Sequence, residues 1–269
     1  MKKIAFLFIT IDNVNHPKLW DDFFEDHEDK YSLYIHAKNK NSLTWNKDNL
    51  VNDIYDTKWG YISKAYVSLF KEAIIDKNNY KFAIFSESCI PIQLFDNFYT
   101  EASKDNNSWI EFHKFREYDR QKLEIYGLDC KIKKFIKHNS RFMLSRDHVQ
   151  KFLLNYNPIY DAIHIGDEYF LNCLHLTENE IIHCNRILTG EDYSHTHTLA
   201  NDIMDNIYRI LDDINSNKID LISIKELYKQ YKRINSSPTT FTSTFYDESL
   251  IDRSCYFFRK FDKYDIISI

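Results

Sequence analysis

The sequence predicts an α/β protein built on a mostly parallel central sheet flanked by helices. Three observations carry that expectation. Short β-rich runs alternate with segments of helical period through the first hundred residues. One run, "KFAIFSE" (81–87), is apolar on both faces, as suits a strand in a parallel sheet covered above and below by helices. Only 4 Gly and 4 Pro occur in 269 residues, so each one marks a definite turn.

Taken in order, "IAFLFIT" (4–10) and "YSLYIHA" (31–37) read as strands. Between them "HPKLWDDFFEDHED" carries Leu19, Phe23 and Phe24 at helical spacing, which makes a β-α-β unit. "NDIYDT" (52–57) is a candidate strand. In "WGYISKAYVSLFKEAIID", Ile62, Ala65, Leu69 and Ala73 form an apolar stripe with Ser63 near the helix start. Beyond strand 81–87 the alternation continues, with strands expected at "SWIEF" (108–112), "RFMLS" (141–145) and "EIIH" (180–183). Helices are expected at "RDHVQKFLLNY" and "DEYFLNCLHL", and residues 199–234 read as two amphipathic helices. No repeat or low-complexity linker divides the chain. It is therefore read as one domain, 1–269, with functional halves at 1–100 and 101–269.

Composition narrows the function classes. Hydrophobic residues make up 43% and aromatics 16%, with 19 Tyr and 20 Phe, enough for a sizeable core and against disorder. A net charge of -5 offers no basic field for nucleic acid. Cys89, Cys130, Cys173, Cys184 and Cys255 are odd in number and never form C-x-x-C, so buried free thiols are expected. The apolar run of "MKKIAFLFITID" ends at Asp12, too short for a signal peptide, and no run approaches ~20 apolar residues. A reducing cytoplasm and no membrane span are the expectation.

Two loops carry side chains with chemistry. In "FSESCIPI" (85–92), Ser86, Glu87 and Ser88 leave the carboxyl end of a buried strand, where an open α/β sheet binds ligands. They read either as contacts to a sugar or ribose or as a plain turn before Pro91. In "HIGDEYFLNCL" (164–174), Asp167 suits a helix N-cap or first turn. Glu168, one residue on, is an acid on a rigid helix start, a place where a general base is well held, although periodicity alone favours a structural role. Near the end, "RSCYFFRKFDKY" groups Arg253, Arg259 and Lys260, cations suited to a diphosphate or simply to a solvated surface. Phosphate-loop, dinucleotide, zinc-protease and serine-esterase motifs are absent, as is an Asp-x-Asp. His36, His138, His164, His183, His195 and His197 show no metal-ligand spacing, and the adjacent "HTH" reads as loop.

In order along the chain, "AFLFIT", "LWDDFFEDHEDKYSLYIHAK", "WGYISKAYVSLFKEAI", "FAIFSESCIPI", "FIKHNSRFMLSRDHV", "GDEYFLNCL" and "SPTTFTSTFYDESLIDRSCYFFRKFD" resemble the core-2/I-branching β-1,6-N-acetylglucosaminyltransferase family, which includes peptide O-xylosyltransferases. The fourth is similar to that family's Ser-Glu/Asp-Ser-x-x-Pro turn, the fifth to its Lys-x-Ser-x-Trp-Phe-x-Leu-x-Arg segment, and the sixth to its Asp-Glu pair. The last resembles its Pro-x-Thr-Phe-Thr stretch leading into Arg-Lys-Phe.

The resemblance implies a GT-A-like fold and an inverting, metal-independent transfer of a sugar, N-acetylglucosamine or xylose, from a UDP-sugar to a glycan hydroxyl. No cofactor is implied, because the UDP-sugar is a substrate. Glu168 would be the catalytic base and Lys260 the diphosphate contact, with a second from Arg259, Arg253 or Arg233. Uridine would lie against Thr10 in the first-strand loop, His36, Trp59, Gly60 and Ser63. Ser86, Glu87 and Ser88 would line the donor pocket. Glu111, Arg141 and Asp167 would face the acceptor.

"IHAK" lacks the acid that often follows the family's strand-two His, Arg141 stands where an aromatic is common, and 199–234 resembles an insertion. With neither anchor nor lumenal disulfide set, a bacterial or viral cytoplasmic relative is expected. The alternative is a glycan- or nucleotide-binding module that kept the fold without turnover.

Overall fold

The structure is a computed structural model that describes residues 2–91, 93–113, 115–128, 135–186, 188–190 and 257–258. Its first half runs β1 (Lys3–Thr10), α1 (Pro17–Phe24), β2 (Tyr31–Ala37), α2 (Ser63–Ala73), β3 (Asn79–Ser86), β4 (Ile90–Pro91) and α3 (Phe95–Ser103). Then follow β5 (Phe112–His113), α4 (Glu117–Glu124), β6 (Lys137–His138), β7 (Met143–Ser145), α5 (Arg146–Asn155), α6 (Glu178–Cys184), β8 (Thr189–Gly190) and β9 (Phe257–Phe258).

The main sheet has the order β2-β1-β3-β7. The strands β2, β1 and β3 are parallel, and β7 runs antiparallel to β3. This mixed α/β arrangement is consistent with a GT-A-like fold. Alternate residues of β1 explain why helices cover both faces. Ala5, Leu7 and Ile9 join Phe82 and Ile84 in a core shared with Leu69 and Phe70 of α2 and Phe152 of α5. Ile4, Phe6 and Phe8 join Phe85 in a second core with Trp20, Phe23, Phe24, Phe95, Phe98 and Phe257. Neither face of the sheet is left to water, as the continuous apolar run of β3 requires.

The strand β1 sits centrally, with its successor in sequence on one side and β3 on the other. In sheets of this kind such a reversal marks the place where ligands bind, beyond the carboxyl ends of the strands, here those of β1 and β3. At the opposite end, Arg146 donates to the carbonyls of Asp76 (3.0 Å), Asn79 (2.7 Å) and Ile74 (2.7 Å). It thus ties the end of α2 to the start of β3 and satisfies carbonyls that a helix end leaves unpaired.

Four expected elements differ. Residues 52–57 form no strand: Val51 donates to Ile35 O, and then side chains take over the backbone groups. Ser68 Oγ donates to Asp53 O, His36 Nε2 accepts from Tyr55 N, and Lys38 Nζ donates to Thr57 O. Of 108–112, only Trp109 bridges Met143 and Phe112 enters β5. Residues 180–183 lie in α6, because Thr177 and Glu180 cap its start reciprocally and so override a short β-branched run. The helix expected at "DEYFLNCLHL" is instead two 3₁₀ turns, Gly166–Glu168 and Phe170–Leu174, bounded by Ile165 and His175 at φ 60° and 48°. Gly166, Asp167, Tyr169, Phe170, Leu171, Cys173 and Leu174 are all buried, so the segment has no solvent face for an amphipathic helix to present.

Cys89, Cys173 and Cys184 are buried free thiols; Cys130 and Cys255 lie outside the described residues, as does the 199–234 stretch. No described helix is long and apolar enough to cross a membrane.

His138 on β6 gives the fold a pH dependence. Its Nδ1 lies 2.9 Å from Asn139 O and its Nε2 accepts from Leu171 N at 3.4 Å, a pairing that suits the neutral Nδ1–H tautomer. Burial pushes its pKa down to about 3. The unfolded chain takes up this proton near pH 6.5 and the folded one does not, so stability falls as pH drops from about 6.5 toward 3, by about 1.4 kcal/mol per unit. Urea unfolding of His138→Gln is expected to remove that slope between pH 6 and 4, roughly the window in which carboxylates titrate as well. A slope equal to wild type would show that His138 does not control it.

Candidate functional site

The carboxyl ends of the parallel strands are joined to one another. Lys38 N donates to Thr10 O (3.0 Å) and Asn39 N to Ile11 O (2.6 Å), linking the segments beyond β2 and β1. Glu87, just past β3, accepts from Ile11 N at Oε2 (3.0 Å) and from Asn15 N at its carbonyl (2.8 Å). Burial pushes the Glu87 carboxyl up, while the Ile11 N–H and the Arg141 charge favour its ionised form. Ser86 is buried, and its Oγ lies 3.3 Å from Ser88 Oγ and 3.4 Å from Cys89 Sγ. The segment 86–89 is a tight turn, closed by Cys89 N donating to Ser86 O.

The chain enters α2 through a turn at Lys58–Tyr61, with Tyr61 N donating to Lys58 O and Gly60 at φ +77°. Gly60 is required twice, because its φ is left-handed and a Cβ there would run into the His164 ring. Its carbonyl accepts from Ile165 N at 2.5 Å. Gly166 lies so close to the Tyr160 carbonyl that any Cβ would collide with it, and Ser63 Oγ donates to the same carbonyl (3.3 Å). The turn before α2 is thus locked to the loop that carries Asp167 and Glu168. Trp59 is 82% exposed, its indole 4.9 Å from the His164 ring.

Asp167 is buried in the first turn of Gly166–Glu168, one of its two expected placements; the N-cap position is held by Ile165, without a side-chain bond. The Tyr66 hydroxyl on α2 lies 3.4 Å from Asp167 Oδ2 and 2.8 Å from Ser140 O, and accepts from Arg141 Nη1 at 3.0 Å. Asn139 connects the same corner to Glu111, donating from Nδ2 to Oε2 at 2.9 Å. Glu168 Oε2 is 3.3 Å from Lys137 Nζ, which also lies 3.6 Å from Asp119 Oδ1. Tyr169 donates to that Asp119 oxygen at 2.6 Å, and burial first, then Asp119, push the Tyr169 phenol far up.

Most of the expected residues therefore form one connected region. Glu111, Arg141 and Asp167 are joined through Tyr66 and Asn139, and the charge of Arg141 reaches Glu87 beside Thr10. Thr10 is itself occupied locally, its Oγ1 donating to Asp12 O. His36 is buried at the end of β2, and its burial pushes its pKa down. Lys38, two residues past His36, lies 3.2 Å from Asp56. Arg233, Arg253, Arg259 and Lys260 lie outside the described residues. Just before Arg259 and Lys260 in sequence, β9 pairs with β4, which follows the 86–89 turn. Sequence reasoning missed Lys137, Asp119, Tyr66 and Tyr169; the partners of Lys137 and Tyr66 lie 18 to 101 residues away, beyond any local pattern. Among the described residues, no group of three or more His, Cys, Asp or Glu could hold a metal ion.

Comparison with known proteins bears on this region. The chain is 26% identical over 121 residues to glycosyltransferase BC10 of Oryza sativa subsp. japonica, an alignment that covers 40% of this chain and 30% of that protein. The crystal structure of A197 from STIV aligns with a TM-score of 0.29 and 11% identity, covering 55% of this chain and 68% of that one. The sequence model of the Core-2/I-Branching enzymes matches residues 4–212, from the first residues of β1 past the Asp167–Glu168 pair. A match over that much of 269 residues means that the chain belongs to the Core-2/I-Branching enzyme family.

Proposed function

We propose that this chain is an inverting, metal-independent glycosyltransferase that moves a sugar, N-acetylglucosamine or xylose, from a UDP-sugar to a glycan hydroxyl. The observation that carries the reading is the junction of two loops in a member of this family. The Asp167–Glu168 segment is fixed to the turn before α2, and Tyr66 and Arg141 connect it toward Glu87 at the ends of the parallel strands. A donor bound beyond the carboxyl ends of β1 and β3 would present its anomeric carbon toward that carboxylate pair.

In the step proposed, Glu168 takes the proton of the acceptor hydroxyl as its oxygen bonds to the anomeric carbon. The bond from that carbon to the UDP oxygen breaks, and UDP leaves with the electron pair. Lys260, with Arg259 or Arg253, would neutralise the departing diphosphate, as fixed cations stabilise developing charge without reorganising. The pairing of β9 with β4 supports Lys260 and Arg259, which directly follow β9 in sequence. The open Trp59 indole supports a stacking contact with the donor.

A panel of UDP-sugars scored for acceptor-dependent UDP release, with and without chelator, tests the reading. One or two donors should support release that the chelator does not reduce. Thermal unfolding completes the test, because a ligand at about 100 times its Kd stabilises the native state by about 2.7 kcal/mol. Stabilisation by glycans but not by UDP, with no UDP release from any donor, would replace this reading with that of a glycan-binding module.

A further inference from the structure

We infer that Lys137 is a positioning residue that keeps the Glu168 carboxylate oriented and ionised for proton abstraction, an inference that rests on the proposed role of Glu168. The backbone of Lys137 is fixed in β6, paired antiparallel with β5 through His113. Its Nζ sits between two carboxylates, 3.3 Å from Glu168 Oε2 and 3.6 Å from Asp119 Oδ1. Asp119 is buried on α4 and is anchored by the Tyr169 hydroxyl at 2.6 Å. Lys137 is therefore gripped from behind and presents its charge to Glu168. The face of the Tyr169 ring adds a second hold, with Lys137 Nζ 5.7 Å and Lys122 Nζ 5.0 Å from its centroid.

The charges around Glu168 decide what Lys137 is for. Asp167 adjoins it in the same turn, Asp119 and Lys122 face it from α4, Lys137 from β6, and the Tyr169 phenol follows it in sequence. Three carboxylates thus share two ammonium groups. Removing Lys137 leaves Lys122 as the ammonium facing the three acids, with the Arg141 guanidinium reaching Asp167 only through the Tyr66 hydroxyl, and crowded carboxylates relieve their repulsion by taking up a proton. A protonated Glu168 cannot accept one from the acceptor. A merely structural Lys137 would serve Asp119 and would have no influence on the ionisation that limits turnover.

The test compares Lys137→Met, Lys137→Arg and Glu168→Gln by the pH profile of UDP release. On the acid limb, Lys137→Met is expected to lower kcat by about 10-fold while the donor KM stays within about twofold. The acid limb of kcat/KM should move up by about one pH unit, because an opposite charge at this distance shifts a carboxyl by one to three units and partial exposure reduces the effect. Lys137→Arg should return the limb toward wild type. In a Glu168→Gln background, Lys137→Met should add little, since its influence passes through Glu168. Should Lys137→Met fail to fold, Lys137→Gln, which keeps a donor without the charge, must give the same displacement. An unmoved acid limb and unchanged kcat, alongside an inactive Glu168→Gln, would overturn the inference and leave the proposed function standing. A fully active Glu168→Gln would instead remove the reading on which both rest.

Discussion

Glu168→Gln is expected to lower acceptor-dependent UDP release by about 100- to 10,000-fold, the usual contribution of one well-placed general base. The substitution keeps the shape of the side chain and its capacity to accept a hydrogen bond from Lys137, and removes the negative charge together with the ability to take a proton. Lys137 retains Asp119 at 3.6 Å, and the site is partly open to water. The unfolding transition should therefore move by less than about 1 kcal/mol. UDP binding should also persist, because the carboxylate acts on the acceptor and not on the nucleotide. Loss of turnover with UDP-induced thermal stabilisation intact is the signature of a missing base. Turnover near wild type would show that another group deprotonates the acceptor and would leave the Asp167–Glu168 pair a structural turn.

The fold was largely legible because its signals are local. The two-sided apolar run at 81–87 specified an interior parallel strand, and β1, β2 and α2 followed from period alone. The misread elements are those where a local signal competed with a partner. "EIIH" suggests a strand, yet Thr177 and Glu180 already spelled a capping box for the helix that forms. "DEYFLNCL" has helix-forming residues, but Asn172 is drawn off to Ile136, donating to its carbonyl and accepting from its N–H, and nearly every other side chain is buried. Such a segment adopts the path its packing dictates, here two 3₁₀ turns.

The candidate site was legible at the level of which loops matter and not of how they connect. Glu87, Glu111, Arg141, Asp167 and Glu168 were all named from loop position or resemblance, and their side chains occupy one region. Tyr66 and Lys137, which knit that region together, sit inside a helix and a two-residue strand. Nothing in their sequence surroundings distinguishes them from a core Tyr or a surface Lys. Their partners are set by the crossing of β-α units, and single-sequence periodicity carries no information about that.

The largest expected loss of stability comes from Phe257→Ala, through a residue near the far end of the chain. The Phe257 ring is fully buried and meets Phe85 at 4.6 Å, Phe98 at 4.9 Å, Phe23 at 5.6 Å and Trp20 at 5.7 Å, the last stacked at 17°. Truncation to Ala should cost about 3–5 kcal/mol, from lost burial and the cavity left among rigid rings. Against a total of about 5–15 kcal/mol, that lowers the urea midpoint substantially. Phe257→Leu, which refills most of the volume, should cost less. The effect should reach function as well, because Phe257 anchors β9 to β4, and Arg259 and Lys260, two of the cations proposed for the diphosphate, follow two and three residues later. Measured at a temperature where the variant is folded, its KM for the UDP-sugar should rise while any residual kcat stays closer to wild type. A cost under about 1 kcal/mol would mean that the aromatic cluster closes without this ring. A destabilised variant with an unchanged KM would separate the two claims: the packing argument would stand, and the cations after β9 would have to be held in place by contacts other than this anchor.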